Sequence, residues 1–175
     1  MAALRKGKCY KNLVRAYTRK SKVRGKDFIK AVPTSKVVTY RMGDAKGTYD
    51  FELHLVADSP HQIRHNALES SRLIINRRLN ISVGPKNFFF QVLPYPHHVL
   101  RENKMLSGAG ADRMQTGMSH AFGRAVGLAA QVKSGRKIFL LRVKKDHLTV
   151  AKQILHLARP RLPGKYKVQV QPVTA

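Results

Sequence analysis

The chain has 175 residues, with 34 Lys and Arg against 9 Asp and Glu, a formal net charge of +25. Hydrophobic residues make up 43%, enough for a real core, which excludes a purely disordered basic tail. One domain of ordinary size is expected; no run of about 18 apolar residues predicts a membrane span, and the single Cys9 excludes an internal disulfide and an all-cysteine zinc site.

The charge is unevenly spread. Residues 1–43 hold 13 basic and 1 acidic side chain, residues 44–100 hold 6 and 5, and residues 101–175 hold 15 and 3. A neutral scaffold displaying basic segments fits this division. A polyanion is the expected partner, and nucleic acid is the commonest one, because lysine and arginine displace condensed counterions from phosphates. An anionic membrane would call for a basic amphipathic helix or a lipid anchor, and neither is evident.

Residues 1–33 read as a basic arm. Lys6, Lys8, Lys11, Arg15, Arg19, Lys20, Lys22, Arg24 and Lys26 are interleaved with Tyr10, Tyr17 and Phe28 at no regular period. Too little of the arm is apolar to offset its ordering entropy in water, so ordering on RNA is expected. Residues 34–175 read as one α+β domain. Val37 to Tyr40 are strand formers, followed by a turn region over Met42 to Gly47. Phe51 to Val56 alternate as a half-buried strand.

Ser59 as N-cap, Pro60 at the first turn and Gln62 closing a capping box predict a helix start. Ile63, Ala67, Leu68, Ile74, Ile75 and Leu79 form its apolar face, opposite Arg64, Arg72, Arg77 and Arg78, with an end near Asn80. Phe88 to Leu93 read as a strand interrupted by Pro94 and Pro96, with extended structure resuming over His97 to Arg101. Leu128 to Val132 and Lys137 to Val143 read as a hairpin turning at Ser134-Gly135. Asp146 is expected to cap a second helix bearing Leu148, Ala151, Ile154, Leu155 and Ala158 and ended by Pro160. Tyr166, Val168 and Val170 give a last strand. The sum is two helices packed on a mixed, mainly antiparallel sheet.

Catalytic chemistry finds little support. His61 and His65, four apart on the expected helix, share a face but lack a third metal ligand and read as solvent-facing or phosphate-contacting. His97 and His98 point to opposite faces of a strand. Glu102 stands alone between Arg101 and Lys104, and Cys9 is expected to tuck against the domain. Gly108 to Arg113 lack the third glycine of a dinucleotide loop and the Gly-Lys-Ser/Thr ending of a phosphate-binding loop. No catalytic residue, metal site or cofactor is expected. The rival readings are an RNA nuclease using His97 or His98 and a freely exchanging RNA chaperone.

The stretch from Asn103 to Gly127 has five glycines and no period, long enough to be functional. Lys104, Arg113 and Arg124 oppose only Asp112. Gln115 and Thr116 offer hydrogen bonds to phosphate or sugar, and Met105, Met114 and Met118 are adaptable apolar contacts.

The run Lys104, Met105, Leu106, Ser107, Gly108, Ala109, Gly110, Ala111, Asp112, Arg113, Met114, Gln115 and Thr116, within Asn103 to Met118, closely resembles the signature of a ribosomal family. His98 to Arg101, Ala121-Phe122-Gly123 and Cys9-Tyr10 resemble it too. The family is the L-ten-e type of archaea and eukaryotes, related to bacterial L-sixteen. Gly108, where eukaryotic members often carry cysteine, leans toward the archaeal type. The resemblance implies an α/β-hammerhead fold and a structural role in the large subunit of the cytoplasmic ribosome. It implies binding to large-subunit rRNA near 5S rRNA and the central protuberance, beside neighbouring ribosomal proteins. The loop would face the A-site and P-site tRNA and the peptidyl-transferase centre, with a part in late assembly and no catalysis. Lys6, Lys8, Lys11, Arg15, Arg19, Lys20, Lys22, Arg24, Arg101, Arg124, Lys133 and Arg136 are the expected RNA-binding side chains.

Overall fold

The computed structural model describes residues 5–13, 29, 31–103, 107–114, 117 and 123–173. Among the described residues, eight strands form two antiparallel sheets. The larger sheet contains β1 (Arg41–Gly43), β2 (Phe51–Ala57), β4 (Phe88–Val92), β7 (Lys137–Val143) and β8 (Tyr166–Pro172), in the order β1-β4-β7-β2-β8. The smaller contains β3 (His61–Arg64), β5 (His98–Glu102) and β6 (Arg124–Val132), in the order β3-β6-β5. Helices α1 (His65–Ser82) and α3 (Leu148–His156) supply the helical part of the core, and α2 (Ala111–Met114) is a single turn. The expected α+β class is what the chain forms.

Register explains the core. Met42, Phe90, Leu141, Leu53 and Val170 lie side by side across all five strands of the larger sheet. Val92, Phe139, Leu55 and Val168 form the next inward row. Against these rows pack Leu68, Ile75 and Leu79 of α1 and Ala151, Ile154 and Leu155 of α3. Phe90 and Phe139 meet with ring centroids 5.5 Å apart, tilted by 55°, a favourable aromatic geometry. Each such fully buried side chain contributes about 1.5–3 kcal/mol. The outward rows are polar: Arg142 pairs with Glu52 at 2.7 Å and lies over the Phe89 ring.

Several expectations are corrected. The helix start at Ser59-Pro60 does not form: residues 61–64 are strand β3, and α1 begins at His65 with no side-chain cap. Pairing of His61 to Arg64 with Val132 to Ala129 outweighs the local cap signal, and the helix runs on to Ser82. Residues 37–40 are not a strand, although the Tyr40 carbonyl accepts the Val92 N–H at 2.8 Å; the strand lies in the supposed turn, at Arg41–Gly43. There Gly43 has φ +82°, and an added Cβ would sit 2.1 Å from the Phe88 carbonyl oxygen, so only glycine lets β1 close on β4.

Residues 128–132 and 137–143 do not form a hairpin. β6 belongs to the smaller sheet and β7 to the larger, and the Gly135 N–H donates to the Ala57 carbonyl at 2.8 Å. The turn therefore carries the chain from one sheet to the other. Asp146 lies in a short 3-10 turn, Lys145–His147, and makes no capping bond to α3.

Candidate nucleic-acid interface

The smaller sheet holds the base of the glycine-rich loop. β5 and β6 are paired from His98↔Ala129 to Glu102↔Arg124, so the loop leaves and returns at one end of that sheet. Residues 124–127, expected in the loop, are strand. Beyond the strands, Ser107, Gly108, Ala109, Gly110, Arg113 and Met114 are exposed and Ala111 is half-buried. No atom lies within 4 Å of a Cβ placed on Gly108 or Gly110. Gly110 has φ +73° and its carbonyl accepts the Arg113 N–H at 3.1 Å, which turns the chain into α2. Lys104, Met105, Leu106, Gln115, Thr116, Met118, Ala121 and Phe122, and the Asp112 side chain, lie outside the described residues.

The described part of the basic arm is laid against the same sheet. Gly7–Tyr10 form a 3-10 turn. At the β3 edge, the Gln62 N–H donates to the Lys11 carbonyl at 2.9 Å and Gln62 Nε2 donates to the Tyr10 carbonyl at 3.1 Å. At the β5 edge, Arg5 forms an ion pair with Glu102, and the Tyr10 hydroxyl donates to the same carboxylate at 3.3 Å. Arg64 Nη1 donates to the Arg5 carbonyl at 2.9 Å, and its guanidinium lies 5.5 Å from the Tyr10 ring centroid. Burial, and secondarily Glu102, raises the Tyr10 phenol above its ordinary range. Glu102 is thus not alone; it fastens the arm at the foot of the loop. Cys9 is exposed, not tucked in.

The predicted cations fall into separate groups. Lys6, Lys8 and Lys11 are exposed on the docked turn, and Arg124 is exposed beside half-buried Arg101 at the loop base. Lys133 and Arg136 are exposed past the far end of β6, with Lys133 about 31 Å from Arg124 at ~3.4 Å per residue. Of these, Lys6, Lys8, Lys11, Arg124, Lys133 and Arg136, with Arg113, take part in none of the ion pairs among the described residues. Arg15, Arg19, Lys20, Lys22, Arg24, Lys26, Tyr17 and Phe28 lie outside the described residues.

The histidines are mostly structural. His61 is buried in β3, where Nδ1 meets the Ser59 carbonyl at 2.7 Å and Nε2 meets the Tyr166 hydroxyl. His65 opens α1 and accepts the Lys36 N–H at 3.3 Å. They do not share a helical face, and neither is solvent-facing. His98, the first residue of β5, is buried, while His97 precedes the strand and is exposed. Burial is the first cause lowering the pKa of His54, His61, His65 and His98. Among the described residues, no three His, Cys, Asp or Glu side chains are grouped to hold a metal ion, and no helix is long and apolar enough to cross a membrane. Sequence reasoning missed Arg5, Tyr10, Gln62 and Arg64 as a set, because no short spacing announces contacts made 52 to 92 positions apart.

Comparison with known proteins converges on one family. The family model described as "Ribosomal protein L16p/L10e" matches residues 14–169. The large ribosomal subunit protein uL16 of Staphylothermus marinus is 42% identical over 171 residues, covering 97% of this chain and 95% of that protein. The protein of the same name from Metallosphaera sedula is 44% identical over 173 residues, covering 97% and 95%. That from Methanococcus aeolicus is 44% identical over 169 residues, covering 96% and 94%.

Proposed function

We propose a function from one premise: this chain belongs to the ribosomal protein L16p/L10e family, a family of structural large-subunit proteins. The chain is accordingly a constituent of the large subunit in the cytoplasmic ribosome. Its family is not an enzyme family, and the chain acts by binding rather than by chemistry. It binds large-subunit rRNA near 5S rRNA and the central protuberance. The loop spanning residues 103–127 supports the RNA that faces A-site and P-site tRNA and the peptidyl-transferase centre. Placing that loop is also its contribution to late subunit assembly.

The observation that carries this reading is the exposure of Lys6, Lys8, Lys11, Arg113 and Arg124 without an acidic partner among the described residues. These charges surround the sheet from which the loop departs, where phosphates would neutralise them. The open backbone at Gly108 and Gly110 permits close approach of RNA. The experiment is replacement of residues 107–114 by a short flexible linker in cells. The altered protein is expected to remain on large subunits that mature slowly and hold P-site tRNA poorly. Normal maturation with unchanged tRNA binding would refute the loop assignment.

A further inference from the structure

We propose that the groove between the N-terminal turn, β3 and the segment after α3 is a discrete RNA-backbone seat, with phosphate held by Lys8, Lys11 and Arg161 and a ribose hydroxyl held by Gln62. This rests on the RNA-binding function above and assigns it a specific place.

The groove encloses about 340 Å³ between Gly7, Lys8, Lys11, Gln62, Arg64, Ala67 and the run from Pro160 to Gly164. Among the described residues, four cations line it and no acid does. None of the four takes part in an ion pair among the described residues. Like charges gathered from three distant segments repel one another unless an anion lies between them. Arg64 is already held by the Arg5 carbonyl and the Tyr10 ring, so its guanidinium is fixed before any ligand arrives.

Gln62 gives the groove its chemical selectivity. Its side chain is 4% exposed, and both its backbone N–H and its Nε2 are used to fasten the arm. Its Oε1 is buried in the free chain and has no hydrogen-bond partner among the described residues, so it meets a ligand donor only once the side chain turns into the groove it lines. A buried acceptor calls for a donor, and a phosphate has none to give. The donor attached to the phosphate backbone is the ribose 2′-hydroxyl, which distinguishes RNA from DNA. Arg161 also lines the neighbouring groove on α1, with Arg77 and Arg78. A strand leaving the seat therefore meets further cations.

Two measurements test this. The first places a photo-crosslinking side chain in the full-length protein, Lys8→p-benzoylphenylalanine, and irradiates large subunits purified from cells. An adduct to large-subunit rRNA is expected. Subunits that carry the protein but give no adduct, or only an adduct to a neighbouring protein, overturn the seat and leave the family function standing. Failure of the wild-type chain to travel with subunits overturns both.

The second compares binding of the full chain to oligouridylate and to oligodeoxyuridylate of the same length. Gln62→Met also removes the Nε2 bond to the Tyr10 carbonyl, so it is expected to weaken both ligands through the loosened arm and to weaken RNA about tenfold more than DNA, the worth of one good hydrogen bond. Arg161→Gln is expected to weaken both alike and to reduce the salt slope by about one unit. Equal losses on RNA and DNA for Gln62→Met would overturn the hydroxyl assignment.

Discussion

The two sheets are built of different materials. The larger is filled by Phe88, Phe90, Phe139, Leu53, Leu55 and Leu141, all fully buried. The smaller is lined by Ala129, Ala130, Val132 and Ile63, with His61, Gln62 and His98 buried among them. The first buries apolar volume and gains stability from it. The second holds polar groups whose burial must be matched by hydrogen bonds, and it anchors both the arm and the loop. Apolar burial is concentrated in one sheet, and the docked arm and the base of the loop lie on the other, although both share one core through Ile63, Ala130 and Val132.

Substitutions can sharpen or break that division. The largest effect is expected at Phe90→Ala, on β4 beside the central strand of the larger sheet, with a loss of about 3–5 kcal/mol from lost burial and the cavity left behind. Denaturant unfolding of the isolated protein measures it. A loss below about 1 kcal/mol would show that the larger sheet is not the stability core.

Next is Glu102→Ala, which removes the partner of both Arg5 and Tyr10. Arg5 is partly exposed, so solvent screening limits its share, and the loss in global stability should be near 1 kcal/mol. The local effect is more telling. Amide exchange at Gln62, whose N–H is held by the Lys11 carbonyl, should quicken while exchange in β4 and β7 stays as it was. Equal acceleration in both sheets would mean that the arm is part of the core.

Acid should separate the sheets without mutation. Burial lowers the pKa of His61, His65 and His98 around the smaller sheet, and of His54 on the larger. Above their unfolded pKa of about 6.5, both states are neutral and the full stability is present. As pH falls through 6.5, the unfolded chain binds protons that the folded chain resists, so stability declines. Between pH 7 and pH 5, exchange protection corrected for intrinsic rate should fall more in β3, β5 and β6 than in β4 and β7. A uniform fall would contradict the comparison.

The smallest effect on folding is expected at Arg113→Ala. The side chain is exposed on α2, so stability should change by no more than about 0.5 kcal/mol. Its cost should appear instead in subunit maturation. A clear drop in melting temperature would place Arg113 in the fold rather than at the interface.

Much of the larger sheet was legible from sequence. Phe88 to Val92 and Lys137 to Val143 are apolar, strand-forming runs whose position barely depends on context. The smaller sheet was legible only in part: the strand over Leu128 to Val132 and the extended run over His97 to Arg101 correspond to β6 and β5, but β3 and the sheet's pairing were missed. Ser59-Pro60 carries every local sign of a helix start, yet the four residues from His61 pair with β6, and long-range pairing wins. Ser134-Gly135 reads as a hairpin turn because a turn signal does not say which sheet the next strand joins. The glycine-rich loop stood out by composition and by resemblance. The docking of the arm did not, since Tyr10 and Glu102 meet only after folding. Gln62 was read as a capping residue, and its unpaired oxygen is a property of three-dimensional packing alone.

The most direct test of the account is sedimentation of the tagged, full-length protein through a high-salt sucrose gradient, with protein and large-subunit rRNA quantified in each fraction. Phosphate contacts alone weaken steeply with salt, whereas a chain locked into folded RNA by its arm, grooves and loop should stay in place. The account predicts close to one copy per large subunit throughout the salt series. Release to the top of the gradient at moderate salt would contradict it and favour a freely exchanging RNA-binding protein.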